Sequence, residues 1–173
     1  MNRHLPLVDD TAANAEPKPL PVLDYLQRRI AGTLRAGEET FLRYPTAISQ
    51  LLKMRIVDIG EASATLEIDA DAAIHGNQQG TVHGGLICEL ADAAFGTAHS
   101  TLMREGESFT SIDLKATFLR PVWKSTLRAR AWATHRGRTI SHYQCDIARD
   151  DGKLAATVTC AVMTLRGAQA QGR

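Results

Sequence analysis

From Gly84 to Met103 the chain reads GGLICELADAAFGTAHSTLM, a stretch in which only Glu89, Asp92 and His99 are strongly polar. A helix that is apolar nearly all round has to be buried, so the rest of the chain must wrap it. The flanks supply the wrapping. Residues 54–59 (MRIVDI) and 62–70 (ASATLEIDA) read as two strands separated by Gly60-Glu61. The second alternates, with Ala62, Ala64, Leu66 and Ile68 on one face and Ser63, Thr65, Glu67 and Asp69 on the other, the mark of a strand with one wet face. Four more strand-like runs follow the helix, at 108–118, 125–135, 139–149 and 154–165. Arg136-Gly137-Arg138 and Asp150-Asp151-Gly152-Lys153 provide turn chemistry between the last three, and Pro121 stops the first. Two strands, one long apolar helix and four strands joined by short turns predict an α+β domain in which a curved, mostly antiparallel sheet curls round one central helix.

Residues 45–166 are assigned to this domain. Before it, residues 1 to about 20 mix Pro, Ala, Asp and Asn without periodicity and read as a flexible leader. VLDYLQRRIAGTLRAGEETFL, from Val22 to Leu42, places Leu23, Leu26, Ile30 and Leu34 at helical spacing. It predicts one amphipathic helix, weakened by Gly32 and Gly37, with any break expected near Gly37. After Pro45, TAISQLL reads as a short helical turn, and residues 167–173 as a C-terminal tail. At 173 residues, with 44% hydrophobic and 23% charged residues, the chain suits one globular domain.

A net charge of +1 with scattered basic residues argues against nucleic acid or a membrane surface as partner. Three cysteines, Cys88, Cys145 and Cys160, contain no C-x-x-C pair, so neither a disulfide framework nor a metal site is expected, and buried reduced thiols are. The opening MNRHLPLVDDTAANAEPKP lacks the apolar core of a secretory signal, and nothing later approaches 18 unbroken apolar residues. The expectation is a cytoplasmic protein.

At 100° per residue the helix face carrying Asp92 also carries Gly85, Cys88, Glu89, Phe95, Gly96 and His99, so all three ionisable side chains fall on one stripe. Two explanations are open. The stripe could face a second subunit or trapped water with its carboxylates hydrogen-bonded and inert, or it could carry chemistry, because a buried carboxylate without partners is costly. His83-Gly84-Gly85 opens the helix. Two glycines let another group approach the backbone while the first-turn N–H groups remain unpaired and, with the positive end of the helix dipole, suit an anion or a developing oxyanion. Asp92 lies roughly 12 Å further along the axis, too far to act on a carbonyl held at its own helix's start. Two copies packed antiparallel about a two-fold would bring Asp92 of one beside Gly84 of the other.

The string NQQGTVHGGLICELADAAFG, followed by SFTSIDLKATFLRP, resembles the hotdog-fold thioesterases, in particular the phenylacetic-acid-degradation type and related acyl-CoA thioesterases. The similarity covers about residues 45–166. The resemblance implies hydrolysis of an acyl-CoA thioester without metal or cofactor, CoA being part of the substrate, by a homodimer or a dimer of dimers. It assigns carbonyl polarisation to Asn77 and the Gly84 N–H, and a catalytic carboxylate, as general base or nucleophile, to Asp92. Ser111 matches a hydroxyl that helps hold the attacking water, and His83 is the motif histidine, mainly structural. Asp and Ser would come from one subunit, Asn and Gly from the other. Gly85, Glu89, Arg120, Arg138 and Thr139 are candidates for substrate contact, the two arginines because guanidinium groups suit the phosphates of CoA.

Bland alternatives stand beside several of these. Arg120 and Arg138 also read as solvated turn arginines, His99 as an interface or core-satisfied histidine, and His75 as a surface histidine. Phe95, Phe109, Phe118 and Trp123 are either acyl-pocket walls or core. Two rival activities remain: an acyl-thioester hydratase or dehydratase, which would need a second acid–base partner such as Glu89 or His99, and a non-catalytic acyl-CoA-binding regulatory domain.

Overall fold

The computed structural model of the chain describes residues 18–171. The expected leader lies mostly outside that range, though Leu20 is within it and forms a parallel bridge to Thr40. The described elements are α1 (Val22–Ile30), α2 (Ala47–Leu51), β1 (Arg55–Gly60), β2 (Ser63–Asp71), α3 (Ala72–His75), α4 (Gly84–Ser100), β3 (Ser108–Phe118), β4 (Lys124–Arg136), β5 (Ile140–Ala148), β6 (Leu154–Leu165) and a final 3₁₀ turn, Gly167–Ala170. The strands form one antiparallel sheet in the order β1-β2-β4-β5-β6-β3, with β1 and β3 as its edges.

The sheet curls round α4 as the patterning requires. Inward residues line up across the ladder: Leu66 opposite Ala129, Ala129 opposite Ile147, and Ile147 opposite Ala156. Against them α4 buries Ile87, Leu90, Ala91, Ala94, Phe95 and Ala98. Alanines on both surfaces let helix and sheet approach closely. Leu90 is 0% exposed at the centre, and Leu90→Ala is expected to cost about 2–5 kcal/mol, from lost transfer energy plus the cavity left behind.

Three expectations need correction. The N-terminal helix does not run from residue 22 to 42 but stops at Ile30. Gly32 adopts φ +68°, its N–H bonds the Arg29 carbonyl at 3.3 Å, and the Thr33 N–H bonds the Arg28 carbonyl at 2.9 Å, a helix-ending pair of bonds that glycine makes cheap. Leu34 is therefore off the helix, yet it still joins Val22, Tyr25 and Leu26 in a small apolar cluster that packs on Ile56 and Ile59 of β1. In the first hairpin, Gly60 pairs with Ser63, so the turn residues are Glu61 and Ala62, not Gly60 and Glu61. Ala62 sits at φ +55°, held where its N–H donates to Thr101 Oγ1 at 2.8 Å. The third correction concerns the stripe on α4 and is developed below.

Candidate active site

The start of α4 is built by its own sequence. His83 is the N-cap, and its ring folds back so that Nδ1 accepts the Gly85 N–H at 2.8 Å; this requires an unprotonated Nδ1. A Cβ on Gly85 would lie 2.9 Å from that nitrogen, and a Cβ on Gly84 would lie 2.9 Å from Phe118 Cζ. Both glycines are thus accounted for by close approach, one to the capping ring and one to the ring that lies over the helix start. The Leu86 N–H reaches the His83 carbonyl at 3.0 Å, while the Gly84 N–H has no acceptor among the described residues. One first-turn donor stays open at the positive end of a 17-residue helix.

Asn77 heads the loop that leads into this turn. Its Oδ1 accepts the N–H groups of Gln79 at 2.9 Å and Thr81 at 3.2 Å, and its Nδ2 donates to Thr81 Oγ1 at 3.0 Å. The carboxamide oxygen is committed to folding the loop, and one Nδ2 hydrogen remains for another acceptor. His75 is not simply a surface histidine: its Nδ1 accepts the Asp71 N–H at 3.2 Å and its carbonyl accepts the His83 N–H at 2.8 Å. The loop ends are therefore tied to each other and to β2.

Asp92, two turns into α4, is half-buried and accepts a 2.8 Å hydrogen bond from Ser111 Oγ. A bulge makes this contact. In β3, Ser111 pairs with Val162 and Asp113 with Ala161, leaving Ile112 as an extra residue. Strict alternation would put Phe109 and Ser111 on the opposite face from Leu114 and Ala116. The extra residue shifts the phase, so Phe109, Leu114 and Ala116 all pack on the core while Ser111 meets Asp92. Ile112 itself is turned outward and is 49% exposed.

Glu89 lies one turn before Asp92 and lines the same two openings. One is a cleft of about 430 Å³ with Gly85, Cys88 and Ser111, the other a chamber of about 730 Å³ that reaches α1. Glu89 has no hydrogen-bond or ion-pair partner among the described residues. Its carboxyl pKa is raised, first by burial and then by the Asp92 charge. Cys88 is half-exposed in the cleft rather than a buried thiol, and partial burial raises its pKa.

The expected stripe of three ionisable groups breaks at His99. That ring is 1% exposed, with Nδ1 2.9 Å from the Tyr143 hydroxyl and Nε2 3.0 Å from Thr164 Oγ1. Burial lowers its pKa to about 4, so it is a neutral, core-satisfied histidine. Phe95 also belongs to the core, its centroid 6.1 Å from that of Tyr143. Of the aromatic candidates, Phe109 lines the large chamber, Phe118 covers Gly84, and Trp123 is largely exposed.

The remaining candidates lie apart. Arg120 donates to the Leu154 carbonyl at 2.8 Å, at the C-terminal end of β3. Arg138 and Thr139 sit in the β4–β5 turn beside Arg166 and Thr164, at the other end of that strand. The length of β3, about 11 × 3.3 Å, separates them. The N-terminal segment, whose role the sequence left open between capping an acyl tunnel, thickening an oligomer interface and no catalytic part, supplies α1, which with α2 and β1 walls the chamber beside Asp92. No periodicity could have shown this, because it depends on how the N-terminal segment docks.

Comparison with known proteins fits this geometry. A family model described as the thioesterase superfamily matches residues 79–156, which include the His83-Gly84-Gly85 turn, Asp92 and Ser111. A Pseudomonas aeruginosa protein provisionally named an esterase is 30% identical over 125 residues, covering 70% of this chain and 85% of that one. A Haemophilus influenzae protein with the same kind of name is 34% identical over 88 residues, 50% of this chain; the match spans 64% of that relative's length. Among solved structures, the PaaI protein of the Escherichia coli phenylacetic acid degradation operon superposes with a TM-score of 0.65 at 26% identity, over 71% of this chain and 87% of that one. A Ralstonia eutropha protein related to phenylacetic acid degradation superposes with a TM-score of 0.65 at 26% identity, over 80% and 98%. The chain belongs to the thioesterase superfamily and has its hotdog fold.

Proposed function

We propose that the protein hydrolyses acyl-CoA thioesters to free acid and CoA, at a site shared by two copies of the chain. The observation that carries this reading is the Ser111–Asp92 hydrogen bond at the mouth of an open cleft. It pairs a carboxylate with a hydroxyl where a water could be held, two helical turns from an open N–H that the same carboxylate cannot serve.

A thioester carbonyl is already electrophilic, so catalysis needs chiefly an oxyanion site and a base. The Gly84 N–H and the spare Nδ2 hydrogen of Asn77 would receive the carbonyl oxygen, and one such donor is worth ~10²–10³ in kcat. Asp92 of the neighbouring copy would take a proton from water, worth ~10²–10⁴, with Ser111 fixing the carboxylate's orientation. Bond formation between water oxygen and the carbonyl carbon gives a tetrahedral oxyanion, and its collapse expels the CoA thiolate, which takes up the proton.

Pairing is favoured by β3. An 11-residue edge strand is a ready template for a second chain, and Ile112 and Phe118 are 49% and 53% exposed on it. Antiparallel β3–β3 pairing about a two-fold would set the Arg120 end of one copy beside the Arg138 end of the other, where both could meet CoA phosphates. No helix among the described residues is long and apolar enough to cross a membrane.

The test is thiol release from a panel of acyl-CoAs. Asp92→Asn, nearly isosteric, should lower kcat by about 10³ or more while the sedimentation behaviour stays that of the wild type. Turnover retained in the purified variant would remove this carboxylate from the mechanism.

A further inference from the structure

The chamber of about 730 Å³ beside Asp92 lies in the ~300–1,000 Å³ range of ligand pockets. Much of its wall comes from residues outside the span matched by the family model. Leu26 and Ile30 of α1, Ile48 of α2 and Ile56 of β1 form one side; Gly96 of α4 and Phe109 of β3 form the other, with Asp92 and Glu89 at the catalytic end. Several polar groups in the wall are already satisfied inside the fold. Tyr44 Oη bonds Ser100 Oγ at 2.6 Å, Thr46 Oγ1 bonds Ser49 Oγ at 2.7 Å, Thr97 Oγ1 bonds the Ala93 carbonyl at 2.7 Å, and Arg55 pairs with Asp69 at 2.8 Å. The charged groups left without partners among the described residues are Glu89, beside Asp92, and the solvent-exposed Arg29; between them the wall offers a ligand mainly hydrocarbon surface.

Gly96 keeps the passage from Asp92 open. A Cβ there would stand 3.5 Å from the Phe109 ring, in ordinary contact, so glycine is not needed for packing, and a larger side chain would narrow the chamber one turn beyond Asp92. Burial of an apolar acyl chain in such a chamber is worth roughly 0.8 kcal/mol per methylene.

We propose that this chamber is the acyl site and that α1 and α2 make it selective for thioesters of extended, apolar acyl groups over short or carboxyl-terminated ones. The proposal rests on the thioester-hydrolase reading for its substrate, but the binding it describes can be measured without turnover.

Ile30 and Ile48 are 40% and 41% exposed at the chamber's edge, so Ile30→Trp and Ile48→Trp can add bulk without disturbing the core. The wild type should show a kcat/KM for octanoyl-CoA at least about tenfold above that for acetyl-CoA and for glutaryl-CoA. Each Trp variant should cut the octanoyl-to-acetyl ratio by roughly tenfold, with an unchanged circular dichroism spectrum. The same variants should weaken binding of S-octyl-CoA, a non-hydrolysable thioether, by a similar factor in calorimetry. Equal S-octyl-CoA affinity in wild type and both variants, or a preference for glutaryl-CoA, would overturn the chamber assignment. Tight S-octyl-CoA binding that the Trp variants weaken, with no CoA released from any thioester, would uphold the chamber and overturn the hydrolase reading.

Discussion

Asp92 and His99 stand seven residues apart on α4, within about 20° of each other in helical projection, yet one faces an open cleft and the other is sealed in the core. The difference lies in what covers them. Above His99, Phe109 closes with ring centroids 5.3 Å apart, and Tyr143 and Thr164 take both ring nitrogens. Above Asp92 only Ser111 arrives, at a bulge, and leaves the carboxylate half open. A buried ionisable group with every polar atom partnered does structural work; one with spare valence at a cavity is where chemistry can occur. On the proposed mechanism the two halves of one helix separate stability from activity, and each should be open to perturbation without the other.

The largest effect should come from the sealed half. His99→Ala removes a packed ring and leaves the Tyr143 and Thr164 hydroxyls without partners, an expected loss of about 4 kcal/mol in denaturant unfolding. If the fold tolerates it, the residual activity per folded molecule should stay near wild type. A loss of turnover without loss of stability would break the division.

At the open half, Gly84→Pro deletes the unpaired N–H. The backbone can accept it, since proline suits the first helical position and His83 already has the extended conformation, ψ 134°, that precedes proline. Gly84→Ala displaces the Phe118 ring in the same way but keeps the N–H. The proline variant should fall about 10²–10³-fold below the alanine variant in kcat. Equal rates in the two would show that the amide does no catalytic work.

Acid pH should separate the halves again. His99 has a folded-state pKa of about 4 against an ordinary value of 6.5, so between those values the unfolded chain binds more protons and stability rises with pH. Read downward, stability contributed by the neutral ring is present above pH 6.5 and is lost as pH falls toward 4, on the order of 3 kcal/mol in all. A His99→Gln variant should lack that part of the slope in chemical denaturation followed from pH 7 to pH 4.

The smallest effect is at Ser111. Ser111→Ala removes one hydrogen bond to Asp92, worth about 1–1.5 kcal/mol, and should lower kcat about tenfold with little change in stability. A hundredfold loss would mean the hydroxyl acts on substrate rather than through Asp92.

What could be read from the sequence follows from what is local. Strands β3 and β6 begin and end where alternation and turn residues place them, at 108–118 and 154–165, because period-two patterning and Gly152 or Pro121 act within a few residues. The wrapped helix was legible because an all-round apolar segment has one physical solution. The bulge at Ile112 was not, since nothing in SFTSIDLKATF marks an unpaired residue, and Ser111 came forward only through family resemblance. The early end of α1 was not legible because four hydrophobic positions at helical spacing, Leu23, Leu26, Ile30 and Leu34, outweighed Gly32, whose left-handed conformation ends the helix. For His99 the helical direction and the core-satisfied reading both hold; the partners that seal it were not legible, because Tyr143 and Thr164 come from strands distant in sequence.

The central claim is that one copy's Asp92 works with its twin's Gly84, and mixing inactive subunits tests it most directly. Asp92→Asn and Gly84→Pro homodimers, each inactive, are unfolded and refolded together in equal amounts. A shared site gives every mixed dimer one intact Asp92–Gly84 pairing, so about a quarter of wild-type activity should return. No recovery from verified mixed dimers would contradict the account.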